Sequence, residues 1–201
     1  YAGLIAYHFE AAGDVDATVK YAARSALWIG TTDIGQALKS WRKVRVLLNS
    51  QSRSPANDQL RILASGQIVS LGWREGMTAD EAAPFAEEAL GLAREAHNAS
   101  AEMLLLAGYG RILAASGSVD AYVAHLEQAY ALSTVDDASH RTLLQSLFCQ
   151  AYGLAGRMRE ALVASDAALG GIAHIDRYHE QLLGFNIERW VQCLRARILV
   201  R

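Results

Sequence analysis

Six histidines (His8, His97, His125, His140, His174 and His179) and two cysteines (Cys149 and Cys193) are the side chains of this 201-residue chain best suited to bind a metal or act as a nucleophile. Their spacing does not gather them. His174 and His179 are five residues apart, which places them on different faces of a helix, and with Asp176 between them we read the segment as a loop and helix cap. No cysteine lies near a histidine at zinc-ligand spacing. A phosphate-binding loop needs Gly-x-x-x-x-Gly-Lys-Ser/Thr, and no lysine occurs beyond Lys43. Gly108-Tyr109-Gly110 falls inside a helical pattern and lacks the strand that a dinucleotide site requires. A nucleophilic triad is recognised by geometry rather than chain order, and nothing singles one out. We therefore expect no catalytic residue, no cofactor and no metal. The two cysteines sit in apolar helical patterns 44 residues apart. We read them as buried free thiols, although residue order alone leaves a disulfide open.

The run Lys39-Ser40-Trp41-Arg42-Lys43-Val44-Arg45 carries four positive charges with an interleaved tryptophan. Such a run can form a nucleic-acid or acidic-partner patch. We read it instead as the solvated face of an amphipathic helix, with Trp41, Val44 and Leu48 packed inward. The four tryptophans (Trp28, Trp41, Trp73 and Trp190) are read as core or inter-repeat packing rather than a ligand cage. A net charge of −2 gives no general attraction to nucleic acid or anionic membrane, and we expect neither as a partner.

The elements that would position these residues are helices. Alanine and leucine, 36 and 26 of them, fill 62 of the 201 positions, and there are only 2 prolines. This excludes disordered, collagen-like and disulfide-stapled chains and argues against a β-rich fold. The longest apolar run, 103–107, is five residues, far short of the roughly 18 a membrane span needs. The chain begins at Tyr1 inside a helical pattern and ends with that pattern still running, so we expect a piece of a longer protein. The preference for arginine over lysine, 16 to 3, suggests a GC-rich bacterial source.

Apolar residues recur at helical spacing almost throughout, interrupted at Gly, Pro, Asn-Ser and Asp clusters. The expected helices span about 1–12, 14–29, 34–49, 55–75, 78–97, 98–116, 118–132, 138–155, 158–169 and 176–200, ten in all. Asp14 to Asp16 and the 31–33 break supply caps, Pro55 suits a first helical turn, and Thr78 with Glu81 has capping-box spacing. Residues 133–137 form a polar turn.

A phrase recurs in which a helix ends in glycine and an alanine opens the next one. It reads Gly13-Asp-Val-Asp-Ala17, Gly76-Met-Thr-Ala-Asp-Glu-Ala82, Gly117-Ser-Val-Asp-Ala121 and Gly156-Arg-Met-Arg-Glu-Ala161, with Ala89, Ala129 and Ala168 later in the last three. The glycines are separated by 63, 41 and 39 residues. Glycine ends a helix cheaply in the left-handed conformation, and small residues let the helices of a hairpin cross closely. Repeated hairpins of this kind stack into a solenoid. The 33–49 helix falls outside the alternation, which accounts for the longest gap.

This phrase resembles the tetratricopeptide repeat, with Tyr130 and Leu71-Gly72 as weak echoes of its other marks. The resemblance implies an all-α fold, a right-handed α-solenoid of about five antiparallel helical hairpins, as a single domain over 1–201. A narrower resemblance rests on His8-Phe9-Glu10-Ala11-Ala12-Gly13-Asp14 with Ala17, Tyr21-Ala22-Ala23 and Ala26. Ala37-Leu38, Leu71-Gly72, Glu88-Ala89-Leu90-Gly91-Leu92-Ala93 and the 179–190 segment with Leu182-Leu183-Gly184-Phe185 follow in the same order. These are similar to the repeat region of large bacterial signalling ATPases, often fronted by a class III adenylate or guanylate cyclase domain. The resemblance implies a C-terminal regulatory scaffold without either activity on this segment. The expected partner is a protein or peptide, including domains of its own parent chain, and exposed solenoid ends would allow a homodimer. The alternative is a ligand-sensing repeat domain of a STAND-type transcription regulator. The first helices of the hairpins, about 1–12, 56–75, 100–116, 137–155 and 176–200, would line a concave groove. Their polar residues Gln59, Arg61, Gln67, Glu102, Arg111, Arg141, Gln145, Gln150 and Arg189 are the candidate contacts.

Overall fold

A computed structural model describes residues 1–30, 32–134 and 137–200. Thr31 of the expected 31–33 break, 135–136 of the expected 133–137 turn, and the Leu182 side chain lie outside the described residues. Within them the fold is all-α, with no strand. The helices are α1 (Ala2–Ala11), α2 (Val15–Ile29), α3 (Ile34–Asn49), α4 (Pro55–Gly72), α5 (Ala79–Glu95), α6 (Ala99–Ala115), α7 (Val119–Leu132), α8 (Ala138–Leu154), α9 (Met158–Gly171), α10 (Arg177–Leu183) and α11 (Ile187–Leu199). Short 3₁₀ turns follow α4 (Trp73–Glu75) and α9 (Ile172–His174). No helix among the described residues is long and apolar enough to cross a membrane.

The helix starts are local decisions of single polar residues. Asp14, Asp33, Ser54 and Asn98 each accept the backbone N–H of the third residue onward, at 2.9–3.1 Å. Thr78 and Glu81 close a reciprocal capping box. The helix ends follow the glycine phrase. Gly13, Gly76, Gly117 and Gly156 all have φ between 75° and 97°. After each, the next amide bonds back five residues, as in Asp14 N–H to Phe9 O at 3.0 Å and Ser118 N–H to Leu113 O at 2.8 Å. This is the Schellman closure. A fifth one, between α5 and α6, uses His97 at φ 51°, the one non-glycine residue at positive φ among the described residues, with Asn98 N–H to Ala93 O at 2.9 Å.

Consecutive helices pack on one another from α1 through α9, and α3 contacts both α2 and α4. The 34–49 helix thus packs between its two chain neighbours, α2 and α4. Contacts between alternate helices, α4 with α6, α6 with α8 and α8 with α11, form an inner row, while α5, α7 and α9 lie on the other side. The arrangement is of helical-repeat type. Two cores run along it. One is built around Trp41, Val44, Leu48 and Ile68; the other around Leu106, Tyr122, Leu126, Leu143 and Leu144. Burying each large side chain stabilises by about 1.5–3 kcal/mol. Helix α5 shows how the small residues work. Ala82, Ala86, Ala89 and Ala93 are all fully buried, a stripe at helical spacing.

The expected long last helix, 176–200, is instead two helices meeting at a corner. Gly184 takes φ 72°, and Asn186 caps α11 by accepting the Arg189 amide at 3.0 Å. The Glu180 carboxylate fastens the corner, accepting from Asn186 Nδ2 at 2.7 Å and the Ile187 amide at 3.1 Å. Local chemistry of Gly and Asn overrides an apolar period that continues on both sides.

Candidate binding cavity

The inner row lines a cavity of about 320 Å³ between α4, α6 and α8, with Leu183 of α10 also in its lining. Missing side chains open it. At Gly66 an added Cβ would meet only Leu105 Cδ2, at 3.6 Å, and at Gly108 only Val69 Cγ1, at 3.4 Å. Ile62, Leu63, Leu104, Leu105, Leu143 and Leu147 make the walls apolar, and Gln59, Gln67, Ser70 and Asn98 add polar groups. Its volume lies at the small end of ligand pockets, roughly 300–1,000 Å³.

Trp73 and Arg111 complete the lining. Arg111 is 7% exposed. Its guanidinium lies 4.9 Å from the Trp73 ring centroid and 5.6 Å from that of Trp190, within cation–π range on both. Its Nε and Nη2 are buried without a hydrogen-bond partner. A second cation stands beside it. Arg74 lies 5.5 Å from the Trp73 ring and 5.7 Å from Phe185 and donates to the Leu183 carbonyl. Burial, and then the Arg111 charge, push the Arg74 guanidinium down. Among the described residues neither arginine forms an ion pair. Burial also pushes the Tyr122 phenol up, with Arg111 beside it acting in the opposite direction.

Three of the nine expected groove residues, Gln59, Gln67 and Arg111, meet in this cavity. The other six do other things. Arg61 ties the α3–α4 connection together, donating to Leu48 O at 2.6 Å, Gln51 O at 2.9 Å and Asp58 at 2.8 Å. Glu102 pairs with Arg94 at 2.6 Å. Arg141 lies 4.4 Å over the Tyr130 ring and donates to its hydroxyl. Gln145 faces a more open depression between α7, α8 and α9. Gln150 accepts from the Tyr122 hydroxyl at 3.2 Å. The Arg189 side chain is exposed on α11. The apolar walls, Ser70, Asn98, Trp73 and Leu183 were not among the candidates read from the sequence, and Arg74 stands beside the cavity, against Trp73, rather than in its lining. The adjacent Trp-Arg pair before a helix-ending glycine was the one signal available.

The other candidate chemistry resolves as structure. In the basic run Trp41, Val44 and Leu48 are fully buried. Lys43 pairs with Glu10 at 2.5 Å, and the buried Arg45 pairs with Glu88 across α3 and α5. Trp28 is 89% exposed, outside any core. Both cysteines are free, but only Cys149 is buried; Cys193 is exposed, because its position on α11 faces away from α8 and α9. Burial pushes the Cys149 thiol up to about 11. His174 closes a 3₁₀ turn. His179 is buried, with Nδ1 2.9 Å from Ser139 Oγ and its ring 4.6 Å from that of His140. His140 in turn lies 2.8 Å from Ser100 Oγ and 2.6 Å from Asp137, so the pair links α6, α8 and α10. Among the described residues no group of three or more metal-ligating side chains gathers. No protein-family model matches the chain, and no curated protein matches it significantly.

Proposed function

We propose that this chain is a non-enzymatic recognition and regulatory module, a single repeat domain whose inner helix row takes a peptide or protein segment. The observation that carries the reading is the cavity on that row, opened by Gly66 and Gly108 and walled by alternate helices. In its finer form the proposal is a right-handed solenoid of about five hairpins, tetratricopeptide-like. It would be the C-terminal region of a bacterial cytoplasmic signalling protein of the cyclase–ATPase kind, with domains of the same parent chain as one class of partner. The glycine–alanine phrase and the 8–26 and 179–190 resemblances support this setting. Exposed apolar side chains near both ends, Leu4 and Tyr7 on α1 and Leu199 and Val200 at the other end, support self-association through the ends.

The test is to pan a displayed peptide library against the chain and against Gly66→Phe, which fills the cavity. Peptides that bind the native chain with micromolar affinity and lose it in the filled variant support the proposal. Peptides that bind both proteins equally, or no enrichment at all, overturn the peptide reading. A second reading, a ligand-sensing repeat domain as in a STAND-type regulator, is favoured by one observation. The cavity is compact and has a buried cation at its lining, which suits a small molecule.

A further inference from the structure

We infer that Ser100 is an activated nucleophile, the acyl-accepting hydroxyl of a Ser100–His140–Asp137 triad, and that its acyl donor is an ester of an apolar carboxylic acid. The inference goes beyond the recognition reading and does not depend on it: a single acyl transfer marks the chain and needs no turnover. It starts from the two ends of one imidazole. Ser100 Oγ lies 2.8 Å from His140 Nε2, and Asp137 Oδ2 lies 2.6 Å from His140 Nδ1. The other oxygen of that carboxylate, Oδ1, accepts the His140 backbone N–H at 3.1 Å. Burial pulls the Asp137 carboxyl up, but the hydrogen bonds from the His140 amide and ring outweigh it and hold the group below its ordinary value, ionised at neutral pH. An ionised carboxylate only accepts. Neutral His140 therefore carries its proton on Nδ1 and keeps the Nε2 lone pair for the Ser100 hydroxyl. That is the order of roles in a nucleophilic triad, which geometry defines on any fold. Residue order hides it, because Ser100 and His140 stand 40 residues apart.

The imidazole is also held from its flank. His179 is buried and meets the His140 ring edge-on, with centroids 4.6 Å apart, and Ser139 Oγ lies 2.9 Å from its Nδ1. The Ser100 residue is exposed, so an ester can reach the hydroxyl. In the transfer, Ser100 Oγ bonds to the ester carbonyl carbon and its proton passes to His140 Nε2. The carbon–oxygen bond to the alcohol then breaks, the proton leaves with the alcohol, and acyl-Ser100 remains. The oxyanion between the two events forms at the start of α6, whose Ala99 and Ser100 amides have no intrahelical acceptor. The neighbourhood sets the acid. Ser100 of α6, His140 of α8 and His179 of α10 each precede by one helical turn a leucine of the cavity wall, Leu104, Leu143 and Leu183. A chain of several carbons can lie against those leucines, whereas an acetyl group gains little from them.

The experiment treats the full chain with a fluorophosphonate probe, in which the serine oxygen displaces fluoride at phosphorus, and with p-nitrophenyl acetate and p-nitrophenyl octanoate. Intact mass, peptide mapping and nitrophenolate release are the readouts. Cys193 is exposed and is first blocked with maleimide, since a thiol also takes acyl groups. The expected result is one phosphonyl group per chain, mapped to Ser100, and octanoyl transfer faster than acetyl by about tenfold or more. Ser100→Ala should abolish this label, and His140→Gln should slow it by about a hundredfold or more. Asp137→Asn separates the triad from a helix cap. Asparagine caps a helix as well as aspartate does, so the melting temperature should hold. Its side-chain amide donates to Nδ1, however, and moves the ring proton to Nε2, so labelling should fall by about a hundredfold or more. Labelling that is absent, maps elsewhere, or survives unchanged in Asp137→Asn overturns the triad. Equal rates for the two esters overturn the apolar-acid assignment. None of these results bears on peptide binding by the native chain and Gly66→Phe, so failure here and failure of the recognition reading are told apart.

Discussion

Gly66 and Gly110 both lie within inner-row helices, yet a single methyl group would act on them in opposite directions. At Gly66 an added Cβ finds ordinary contact distance, and alanine in a helix interior is favoured over glycine by about 0.5–1 kcal/mol. Gly66→Ala should therefore raise the melting temperature. At Gly110 the same atom would lie 2.8 Å from Tyr122 Cδ2 and 3.3 Å from the Tyr122 backbone. Tyr122 is fully buried and cannot yield. Gly110→Ala should destabilise by about 1–3 kcal/mol, the usual cost of overpacking. Equal shifts in a denaturant titration would contradict the close α6–α7 crossing. His97 offers a third case. It holds φ 51° where the comparable turns use glycine, at a cost of about 1–2 kcal/mol for an L side chain. His97→Gly should gain about 1 kcal/mol, read from the same titration; a loss would mean that the imidazole contributes more than the backbone strain removes.

At the scale of elements, the short helix α10 is held to α8 by His179, Ser139 and His140. Burial, and then the neighbouring His140, lower the His179 pKa from 6.5, against the pull of Asp176 and Asp137. The sign follows from proton counting. The unfolded chain binds the proton first as pH falls, so stability is complete above about pH 6.5 and declines as pH falls toward the lowered folded value. Asp137, also shifted down, keeps its charge across this range. We expect a lower melting temperature at pH 5.5 than at pH 7.5, with the difference reduced in His179→Asn. A difference of the same size in the variant would assign the effect to the other histidines.

Across the whole molecule, what could be read in the sequence was what adjacent residues decide. The four glycine closures, the Thr78–Glu81 box and the Asp14 and Asn98 caps each lie within a few residues of what they control. The helix order and the inner position of α4, α6 and α8 follow from them. The cavity does not. Arg74 meets Leu183 across 109 residues, and Arg111 is placed by tryptophans on either side of it in sequence, 73 and 190. Nothing in the spacing of Gly66 and Gly108 separates an open cavity from a close crossing such as that at Gly110. The break at Gly184 was hidden because apolar residues keep helical spacing through it, while the choice is made by Gly184, Asn186 and the carboxylate of Glu180.

The two cysteines give the molecule a built-in reporter. A thiol reacts as its thiolate. Cys149 is buried with its pKa raised to about 11, whereas Cys193 stands exposed on α11. A maleimide dye at neutral pH should attach once per folded chain, at Cys193, and twice after denaturation, as counted by intact mass; two attachments to the folded chain would contradict the burial of Cys149. The dye would then ride on the same face-turn of α11 as Trp190, three residues before it, whose indole rests on the Arg111 guanidinium. Energy transfer from tryptophan to dye would let an optical signal follow the end of the stack in real time, with no substitution made in the protein.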